Sequence, residues 1–197
     1  MKRLLDQVAD HPSFWDFARR IVEANHRTQK AAIKRELDGV DGPVLDAPCG
    51  TGIFSPLIPA VHYTGIDVSD VYVSHARKKH PDRRFAVMDA LATSFADDAF
   101  AAVLVVGFLH HLDEPDVARS LKEIRRLLRP GGRFLLVEDC PTRGRWNVPG
   151  RILQGLDAGG RIRPTEWYRR ALSVDFEVLH DYPLRAGLWD YSVFVLG

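Results

Sequence analysis

Short apolar stretches alternate along the chain with stretches of helical spacing, and this alternation limits the possible folds more than any other feature. Five apolar stretches are typical of β-strands, and they cover residues 44–47, 61–66, 84–88, 100–106 and 133–138. Strands that alternate with helices predict a parallel sheet with helices on both faces. Two further strands, predicted at 176–182 and 188–196, are joined by a turn too short for a crossover, so we expect them to pair antiparallel.

Capping residues mark the starts of several predicted helices. The predicted helices cover residues 13–37 with a break, a short stretch between Gly52 and Pro59, and three stretches that follow the caps Ser69, Asp113 and Thr165. The stretch 139–163 contains glycine, proline and arginine but little periodicity. Because it is long for a loop, it either has a function or contains a helix that the pattern does not reveal.

Composition argues against several classes of protein. The chain has 197 residues, which fits one domain, and its net charge of +1 is unusual for a dedicated nucleic-acid binder. The two cysteines, Cys49 and Cys140, lie far apart in the sequence, which predicts a reducing, cytoplasmic setting. No apolar run approaches the roughly 20 residues of a membrane span, and the first residues lack the apolar core of a signal peptide. We therefore expect no nucleic-acid or membrane partner, and a monomer or homodimer.

The segment VLDAPCGTG, residues 44–52, places an aspartate at the end of an apolar strand and two glycines in the loop that follows. In open parallel sheets, ligands bind beyond the carboxyl ends of the strands, next to the first strand. Gly50 and Gly52 lack a Cβ, so the chain can turn sharply there and a ligand can approach the main chain. A helix that starts after Gly52 would add free N–H groups and a positive dipole end.

Two further aspartates end the next two predicted strands. Asp67 comes 17 residues after Gly50, and Asp89 follows the third strand in VMDA. A carboxylate at the first position can accept both hydroxyls of a ribose, and one at the second can reach the amino group of an adenine. Each aspartate alone could be a cap or turn residue. Three aspartates at the ends of three successive strands favour a nucleoside-binding site over a tight turn without a ligand.

These motifs together resemble the class I S-adenosylmethionine-dependent methyltransferases, in the small-molecule branch whose fourth strand is followed by a Leu-His-His segment. The matching stretches are VLDAPCGTG at 44–52, GIDVS at 65–69, VMDA at 87–90, VLVVGFLHHL at 103–112 and LLRPGGRFLLVE at 127–138. The resemblance implies an α/β fold, with a doubly wound, mostly parallel seven-stranded sheet in the order 3-2-1-4-5-7-6. It also implies S-adenosylmethionine as the cofactor and a single methyltransferase domain over residues 1–197.

The resemblance further implies which residues border each part of the cofactor. The methionine part is expected against Asp46, Ala47, Gly50, Gly52 and Gly107. The ribose is expected on Asp67, and the adenine next to Val68, Asp89 and Ala90. One departure from the family pattern is Pro48, where glycine is usual. Because proline lacks an N–H group and fixes φ, we expect the loop to bend at this position and still to bind the cofactor.

Methyl transfer requires alignment of the acceptor with the methyl group, and it requires a base only if the acceptor starts protonated. His110 and His111 follow the fourth strand, close to where the methyl group is expected, and are the candidate catalytic residues. The alternative is that one of them hydrogen-bonds the main chain and shapes the loop. We predict no metal site.

Segments outside the shared fold are expected to form the acceptor pocket. Residues 1–39 are predicted to be a helical lid, and residues 139–172 a basic insert with a helix. Between residues 141 and 170 there are seven arginines and two acidic residues. Because arginine binds carboxylates and phosphates through paired hydrogen bonds, we predict a small acceptor that is anionic or aromatic, unless the arginines form a solvated face. The predicted acceptor residues are Trp15, Arg145, Trp146, Arg163 and Tyr168.

Three other functions fit parts of the sequence. A nicotinamide-dependent oxidoreductase would have a third glycine where Ser55 follows Gly50 and Gly52. A non-catalytic or regulatory protein could keep the fold and bind the cofactor, and Pro48 leaves this alternative open. An RNA methyltransferase usually carries a motif such as Asn/Asp-Pro-Pro-Tyr/Phe after the fourth strand, where this chain has GFLH at 107–110.

Overall fold

The computed structural model describes residues 24–144, 146–155 and 160–197, and within them seven strands form one sheet. The strands are β1 (Val44–Asp46), β2 (Tyr63–Asp67), β3 (Arg84–Val87), β4 (Phe100–Val106), β5 (Leu128–Asp139), β6 (Val178–Ala186) and β7 (Trp189–Leu196). Their order across the sheet is β3-β2-β1-β4-β5-β7-β6. β1 to β5 are parallel, and β7 is antiparallel to its neighbours β5 and β6. The predicted fold class and strand order are confirmed.

Helices cover both faces of this sheet. Those of the described residues are α1 (Arg27–Glu36), α2 (Asp70–Lys79), α3 (Glu114–Leu127), α4 (Val148–Gly155) and α5 (Thr165–Leu172). α1 and α2 pack on one face through Ile33 and Val73, and α3 and α5 pack on the other through Leu121 and Leu172. None of the described helices combines the length and the apolar character needed to cross a membrane.

β4 lies at the centre of the sheet, between β1 and β5. Val103 pairs with Leu45 on one side and with Phe134 on the other. Side chains alternate between the two apolar clusters, so that Val103 belongs to the α3 face and Leu104 to the α1 face. A strand covered on both faces has no solvated side, which explains why the sequence FAAVLVV is apolar throughout.

Two elements start or end differently from the sequence prediction. β5 begins at Leu128, directly after α3, instead of at Arg133, because Leu128 pairs with Phe100 before a shift in register. The short helix predicted after Gly52 is one 3-10 turn, Ser55–Leu57. In both cases the structure has an element where the sequence predicts one, and only its extent differs. The start of β5 depends on the pairing of Leu128 with Phe100, and the helical stretch after Gly52 is a turn of only three residues.

The C-terminal part shows three further differences. The stretch 139–163, which the sequence allows to be a loop or a helix, contains α4. Pro164 occupies the cap position of α5, so Thr165 is the first residue of that helix instead of its cap. β6 extends to Ala186 and includes Pro183. β6 is an edge strand, where a proline without an N–H group is tolerated.

The described part of the predicted N-terminal lid is α1 and the turn before it. Residues 24–26 form a 3-10 turn with left-handed φ angles, which is a break inside the helix predicted at 13–37. α1 packs against β5 and β6. At its end, Glu36 accepts a hydrogen bond from the hydroxyl of Tyr182 at 3.0 Å. The first 23 residues lie outside the described part, so a lid over the site stays a prediction.

The carboxylate of Glu123 on α3 anchors the loop before β4. It accepts hydrogen bonds from the guanidinium of Arg126, and it accepts the N–H and the hydroxyl of Thr93 at 2.8 and 2.6 Å. Arg126 also donates to the carbonyl of Phe95 at 2.8 Å. The hydrogen bonds from Arg126 lower the pKa of Glu123 to about 2.

Replacing Glu123 with Gln should lower the free energy of unfolding by about 1–2 kcal/mol at neutral pH, because a charged acceptor of several hydrogen bonds becomes neutral. The pKa of this carboxyl is lower in the folded chain than in the unfolded chain. Its contribution is therefore present above its ordinary pKa and is lost as the pH falls toward about 2. Urea unfolding from neutral to acidic pH measures this effect, with the exposed Glu177→Gln as the control. If the difference in the free energy of unfolding between wild type and Glu123→Gln stayed the same at low pH, the lowered pKa of Glu123 would be contradicted.

Candidate functional site

The loop after β1 curves over the end of the sheet and is held by main-chain hydrogen bonds. The N–H of Cys49 donates to the carbonyl of Ile66 at 2.7 Å. Gly50 and Gly52 have φ angles of +52° and +72°, which favour glycine. A Cβ added at Gly52 would lie 3.0 Å from the ring of Phe85, whereas one at Gly50 would meet no atom of the described residues within 4 Å. The main chain at Gly50 therefore borders open space that a ligand can enter.

Asp67 joins the Gly50 loop to the start of α2. Its two oxygens accept the N–H groups of Gly50 and Ser69, each at 2.9 Å. Burial raises the pKa of Asp67, and the two main-chain donors oppose this shift. Because each carboxylate oxygen has two lone pairs, the group retains acceptor positions for a diol. The residue predicted to hold the ribose thus lies directly beside Gly50.

Asp46 is enclosed beneath the same loop. Its carboxyl is almost fully buried and accepts a hydrogen bond from the hydroxyl of Tyr63 at 2.8 Å. Burial raises the pKa of Asp46 to about 7; the Tyr63 hydroxyl opposes the shift and the nearby charge of Asp67 adds to it. A cation bound next to this carboxyl would favour its ionised form. Tyr63 is not among the site residues that the sequence predicts. The sign of its role in the sequence is a hydroxyl-bearing side chain within a strand predicted to be buried.

The residues predicted to border the adenine lie at the ends of β2 and β3. Val68 is 74% exposed, which is high for a large apolar side chain. Asp89 is exposed, and its carboxylate accepts the N–H of Leu91 at 2.9 Å. Ala90 is half-buried against the α3-face cluster. These positions form a partly apolar surface that continues from Asp67.

Pro48, the departure from the family pattern, is half-buried and follows a cis peptide bond. The residues on both sides of it stay bonded to neighbouring strands: the N–H of Ala47 donates to Leu104 at 3.0 Å and that of Cys49 to Ile66 at 2.7 Å. The loop therefore remains attached to β2 and β4 without an N–H group at position 48. Burial raises the pKa of the Cys49 thiol, which identifies Cys49 as a packed residue and not a thiolate.

Glu138 holds the 3-10 turn, Leu109–His111, that follows β4. The side chain of Glu138 is fully buried. Its Oε2 accepts the N–H groups of Phe108 and Leu109 at 3.1 and 2.7 Å. Its Oε1 lies 2.6 Å from Nδ1 of His110 and accepts the N–H of Asp139 at 3.0 Å. These donors offset the loss of hydration of the buried carboxylate.

The contact between Glu138 and His110 defines the roles of the two imidazole nitrogens. A carboxylate oxygen 2.6 Å from Nδ1 requires a proton between them. In the neutral ring Nδ1 is then the donor and Nε2 is the acceptor. Nε2 lies 3.8 Å from the carboxylate of Asp139, which itself accepts the indole N–H of Trp189 at 2.9 Å.

The imidazole of His110 lies behind Gly107, at the end of β4. Gly107 has a φ of +58°, and a Cβ at this position would lie 3.7 Å from Cε1 of His110 and 3.8 Å from Oδ1 of Asp139. Main chain without a side chain therefore separates this buried pair from the edge of the sheet. Potential ligand atoms of His110, Glu138 and Asp139 lie within 4.8 Å of one another, a spacing that would suit a metal ion. The expectation of no metal site stays a prediction.

Arg163 holds the same turn from its carbonyl side. Its Nη1 donates to the carbonyl of Leu109 at 3.0 Å and its Nη2 to that of Leu112 at 2.8 Å. The guanidinium also lies 4.2 Å from the centre of the Trp167 ring. The turn is thus bonded through its N–H groups to Glu138 and through its carbonyls to Arg163.

The two histidines differ in exposure. His110 is fully buried, whereas His111 is exposed. Their ring centres are 4.0 Å apart, and the carbonyl of His111 accepts a hydrogen bond from Arg161 at 3.3 Å. The structure therefore brings both predicted catalytic residues to the end of β4, one inside the protein and one on its surface.

The structure does not bring the predicted acceptor residues together. Tyr168 is fully buried in the α3-face cluster, where its side chain has no surface on which an acceptor could stack. Trp146 is 84% exposed. Trp15 and Arg145 lie outside the described residues. Four other arginines of the basic insert donate hydrogen bonds within the chain: Arg143, Arg151, Arg161 and Arg169.

A cleft of about 400 Å³ opens at the same edge of the sheet, between α5 and the end of β5. Its lining includes Cys140, Arg143, Thr165, Glu166, Arg169 and Asp181. None of the predicted cofactor residues belongs to this lining, because the cleft lies towards β6 and the Gly50 loop lies beyond β4. This cleft is therefore separate from the residues predicted to bind the cofactor.

Comparison with known proteins identifies the family. The family described as "Methyltransferase domain" matches residues 44–132. A demethylmenaquinone methyltransferase of Thermus thermophilus is 30% identical over 150 residues, which cover 70% of this chain and 67% of that protein. The chain belongs to the class I S-adenosylmethionine-dependent methyltransferases. S-adenosylmethionine is the cofactor of this family, as the resemblance implies.

Two further comparisons extend over more of this methyltransferase. A UbiE protein of Desulfotalea psychrophila, named a ubiquinone/menaquinone biosynthesis C-methyltransferase, is 28% identical over 223 residues, covering 100% of this chain and 86% of that protein. A solved structure of geranyl diphosphate methyltransferase in complex with SAM has the same fold, with a TM-score of 0.70 and 20% identity over 91% of this chain and 88% of that chain. The matches to three demethylmenaquinone methyltransferases span 59% to 67% of the length of those proteins.

Replacing Asp46 with Asn should change the pH dependence of this methyltransferase's stability. The pKa of Asp46 is about 7 in the folded chain and near 4 in the unfolded chain, so the folded chain retains a proton that the unfolded chain releases. The free energy of unfolding of the wild type, relative to Asp46→Asn, should therefore fall as the pH rises from about 4 to about 7 and then level off. Urea unfolding across this range measures it, with the exposed Asp89→Asn as control. A constant difference would mean that Asp46 is ionised throughout.

Replacing Glu138 with Ala should lower the free energy of unfolding by about 3 kcal/mol or more, because several buried N–H groups lose their acceptor together. Glu138→Gln keeps an acceptor oxygen and should have a smaller effect. Urea unfolding measures both variants, and Glu177→Ala serves as the exposed control. Equal stability of Glu138→Ala and wild type would show that the turn after β4 does not depend on this carboxylate.

Proposed function

We propose that this protein transfers a methyl group from S-adenosylmethionine to a ring carbon of a small phenolic acceptor of the quinol type. The observation that supports this most directly is the buried Glu138–His110 pair behind Gly107, because a phenol must lose a proton before its ring carbon becomes a good nucleophile. The relatives support the acceptor class, since one is named a demethylmenaquinone methyltransferase and another a C-methyltransferase of ubiquinone and menaquinone biosynthesis.

An aromatic acceptor has more support than an anionic one. The guanidinium of Arg163 is directed to two main-chain carbonyls and to the ring of Trp167. Arg169 is paired with Asp181 at 2.7 Å. These arginines therefore already have partners at the positions from which they would bind a carboxylate or phosphate.

The cofactor is proposed to lie across the ends of β1, β2 and β3. Gly50 fits it because the main chain there borders open space, and Asp67 fits its ribose because the carboxylate retains acceptor positions for two hydroxyls. The remaining proposed contacts are Asp46, Ala47, Gly52 and Gly107 for the methionine part, and Val68, Asp89 and Ala90 for the adenine. When bound, S-adenosylmethionine supplies a methyl group attached to a sulfonium sulfur. This sulfur is a good leaving group.

The Glu138–His110 pair is proposed to take the proton of the acceptor. Glu138 holds the Nδ1 proton of His110, so Nε2 is the nitrogen that accepts the phenolic proton. The carboxylate of Glu138 then stabilises the imidazolium that forms, as an acidic partner does in other histidine dyads. The electron pair released from the O–H bond would make the ring carbon nucleophilic toward the methyl group. As the new carbon–carbon bond formed, the methyl–sulfur bond would break and S-adenosylhomocysteine would be the leaving group. The ring hydrogen would then be lost to water as a proton, which restores the aromatic ring. His110 is fully enclosed, so the acceptor would have to meet it from the Gly107 side.

Two variants should separate cofactor binding from catalysis. Asp67→Asn should weaken binding of S-adenosylhomocysteine by about tenfold or more, because a charged acceptor of hydrogen bonds is lost. His110→Asn should leave that affinity within about twofold and lower kcat by about 10²-fold or more, as expected for loss of a general base. Calorimetry with S-adenosylhomocysteine and mass spectrometry of products from 1,4-naphthalenediol measure the two effects. Asp82→Asn, on the surface, is the matched control.

The outcomes distinguish the alternatives. No binding of S-adenosylhomocysteine would contradict the cofactor site. Binding without methylation of any member of a panel of naphthalenediols and benzenediols would favour the non-catalytic, regulatory function. If His111→Asn lost kcat and His110→Asn did not, the exposed histidine would be the base.

A further inference from the structure

α4 is attached to the protein through the amide side chains of Asn147 and Gln154. The Nδ2 of Asn147, just before the helix, donates to the carbonyl of Leu188 at 2.9 Å. Gln154 donates to the carbonyl of Cys140 at 2.8 Å and accepts the N–H of Thr142 at 2.8 Å. These amides attach α4 to the turn between β6 and β7 and to the chain that leaves β5.

Gly150 allows α4 to sit close against this turn. It is buried, and a Cβ at this position would lie 2.5 Å from the carbonyl oxygen of Leu188 and 2.7 Å from the side chain of Asn147. No side chain larger than hydrogen fits there without moving the helix or the turn. The position of α4 on the protein, and thus the direction of its outer face, is defined by these contacts.

The outer face of α4 is apolar. Val148 and Ile152, one helical turn apart, are 47% and 60% exposed. Trp146 before the helix is 84% exposed, and Leu188 in the adjoining turn is 37% exposed. A cluster of four exposed apolar residues on a well-anchored helix is typical of a surface that binds a partner.

Arginines predominate in the segment that contains this face. Residues 141–163 contain five arginines and one acidic residue, Asp157. Arg151 lies on α4, is exposed, and donates to the carbonyl of Gly144 at 3.1 Å. Exposed apolar residues in a segment with an excess of arginine match a partner with an apolar interior and an anionic surface.

We propose that the outer face of α4, together with Trp146 and Leu188, docks on the surface of a bilayer that contains anionic phospholipid. Val148 and Ile152 would enter the boundary of the acyl chains, Trp146 would lie at the level of the headgroups, and the positive charge of Arg151 would lie close to the anionic headgroups. This proposal replaces the expectation, based on the lack of a long apolar run, that a membrane is not a partner. The proposal does not depend on the proposed acceptor. Because α4 is bonded to Cys140, directly after β5, docking would bring the carboxyl edge of the sheet near the bilayer.

Flotation of the full-length protein with lipid vesicles tests the docking surface without any methyl transfer. Vesicles of phosphatidylcholine that contain phosphatidylglycerol should bind the wild type, and vesicles of phosphatidylcholine alone should bind it more weakly. Val148→Ser combined with Ile152→Asp should lower binding by about tenfold or more. Arg151→Gln should lower binding by about fivefold on the anionic vesicles only. Val174→Asp, on a side chain that is 78% exposed after α5, is the control and should bind like wild type.

Two further measurements complete the test: fluorescence reports contact of Trp146 with lipid, and light scattering reports whether the protein is a monomer or a dimer. Quenching of tryptophan fluorescence by brominated lipid that disappears in Trp146→Phe would support contact at this face. Equal vesicle binding by the wild type and the Val148/Ile152 variant would overturn the proposal. A wild-type dimer that this double variant converts to a monomer, with no vesicle binding by either, would also overturn it and would assign the face to a second copy of the chain. Thermal unfolding of each variant shows that the fold is kept.

Discussion

The carboxyl edge of the sheet depends on the hydrogen bonds that the carboxylate of Glu138 accepts. This carboxylate is fully buried and accepts hydrogen bonds from the turn after β4, from His110 and from the next residue of its own strand. Removing it would leave several donors enclosed without an acceptor, which costs more than the bonds themselves contribute. Together with Arg163 on the carbonyl side, it fixes the turn that carries His110.

The sequence predicts the sheet well because its signals are local. An apolar run such as FAAVLVV reports burial on two faces, and aspartates at strand ends report the edge at which parallel strands finish. The sequence therefore predicts Asp67 and Gly50 at the same edge of the sheet. The structure adds that they are bonded to each other at 2.9 Å, which no spacing in the sequence reveals.

Features that depend on distant partners are not visible in the sequence. Glu138 is the end of an apolar strand in the pattern LLVE, and its donors come from residues 108–110, about thirty positions away. α4 is hidden for a different reason: it is attached through the amides of Asn147 and Gln154, and Val148 and Ile152 are exposed, whereas the apolar residues that reveal a surface helix normally pack on the core. Tyr168, a residue that could stack on a ligand or fill a core, is in the core.

The bond between Gly50 and Asp67 has a consequence for how this protein can vary. The same carboxylate also accepts the N–H of Ser69, the cap residue of α2, so the glycine loop, the second strand and the start of the second helix share one anchor. Changes at positions 50, 67 and 69 are therefore coupled, and their energetic effects should not be additive. A substitution of Asp67 removes the attachments of Gly50 and Ser69 together, so the glycine loop and the start of α2 form one structural unit.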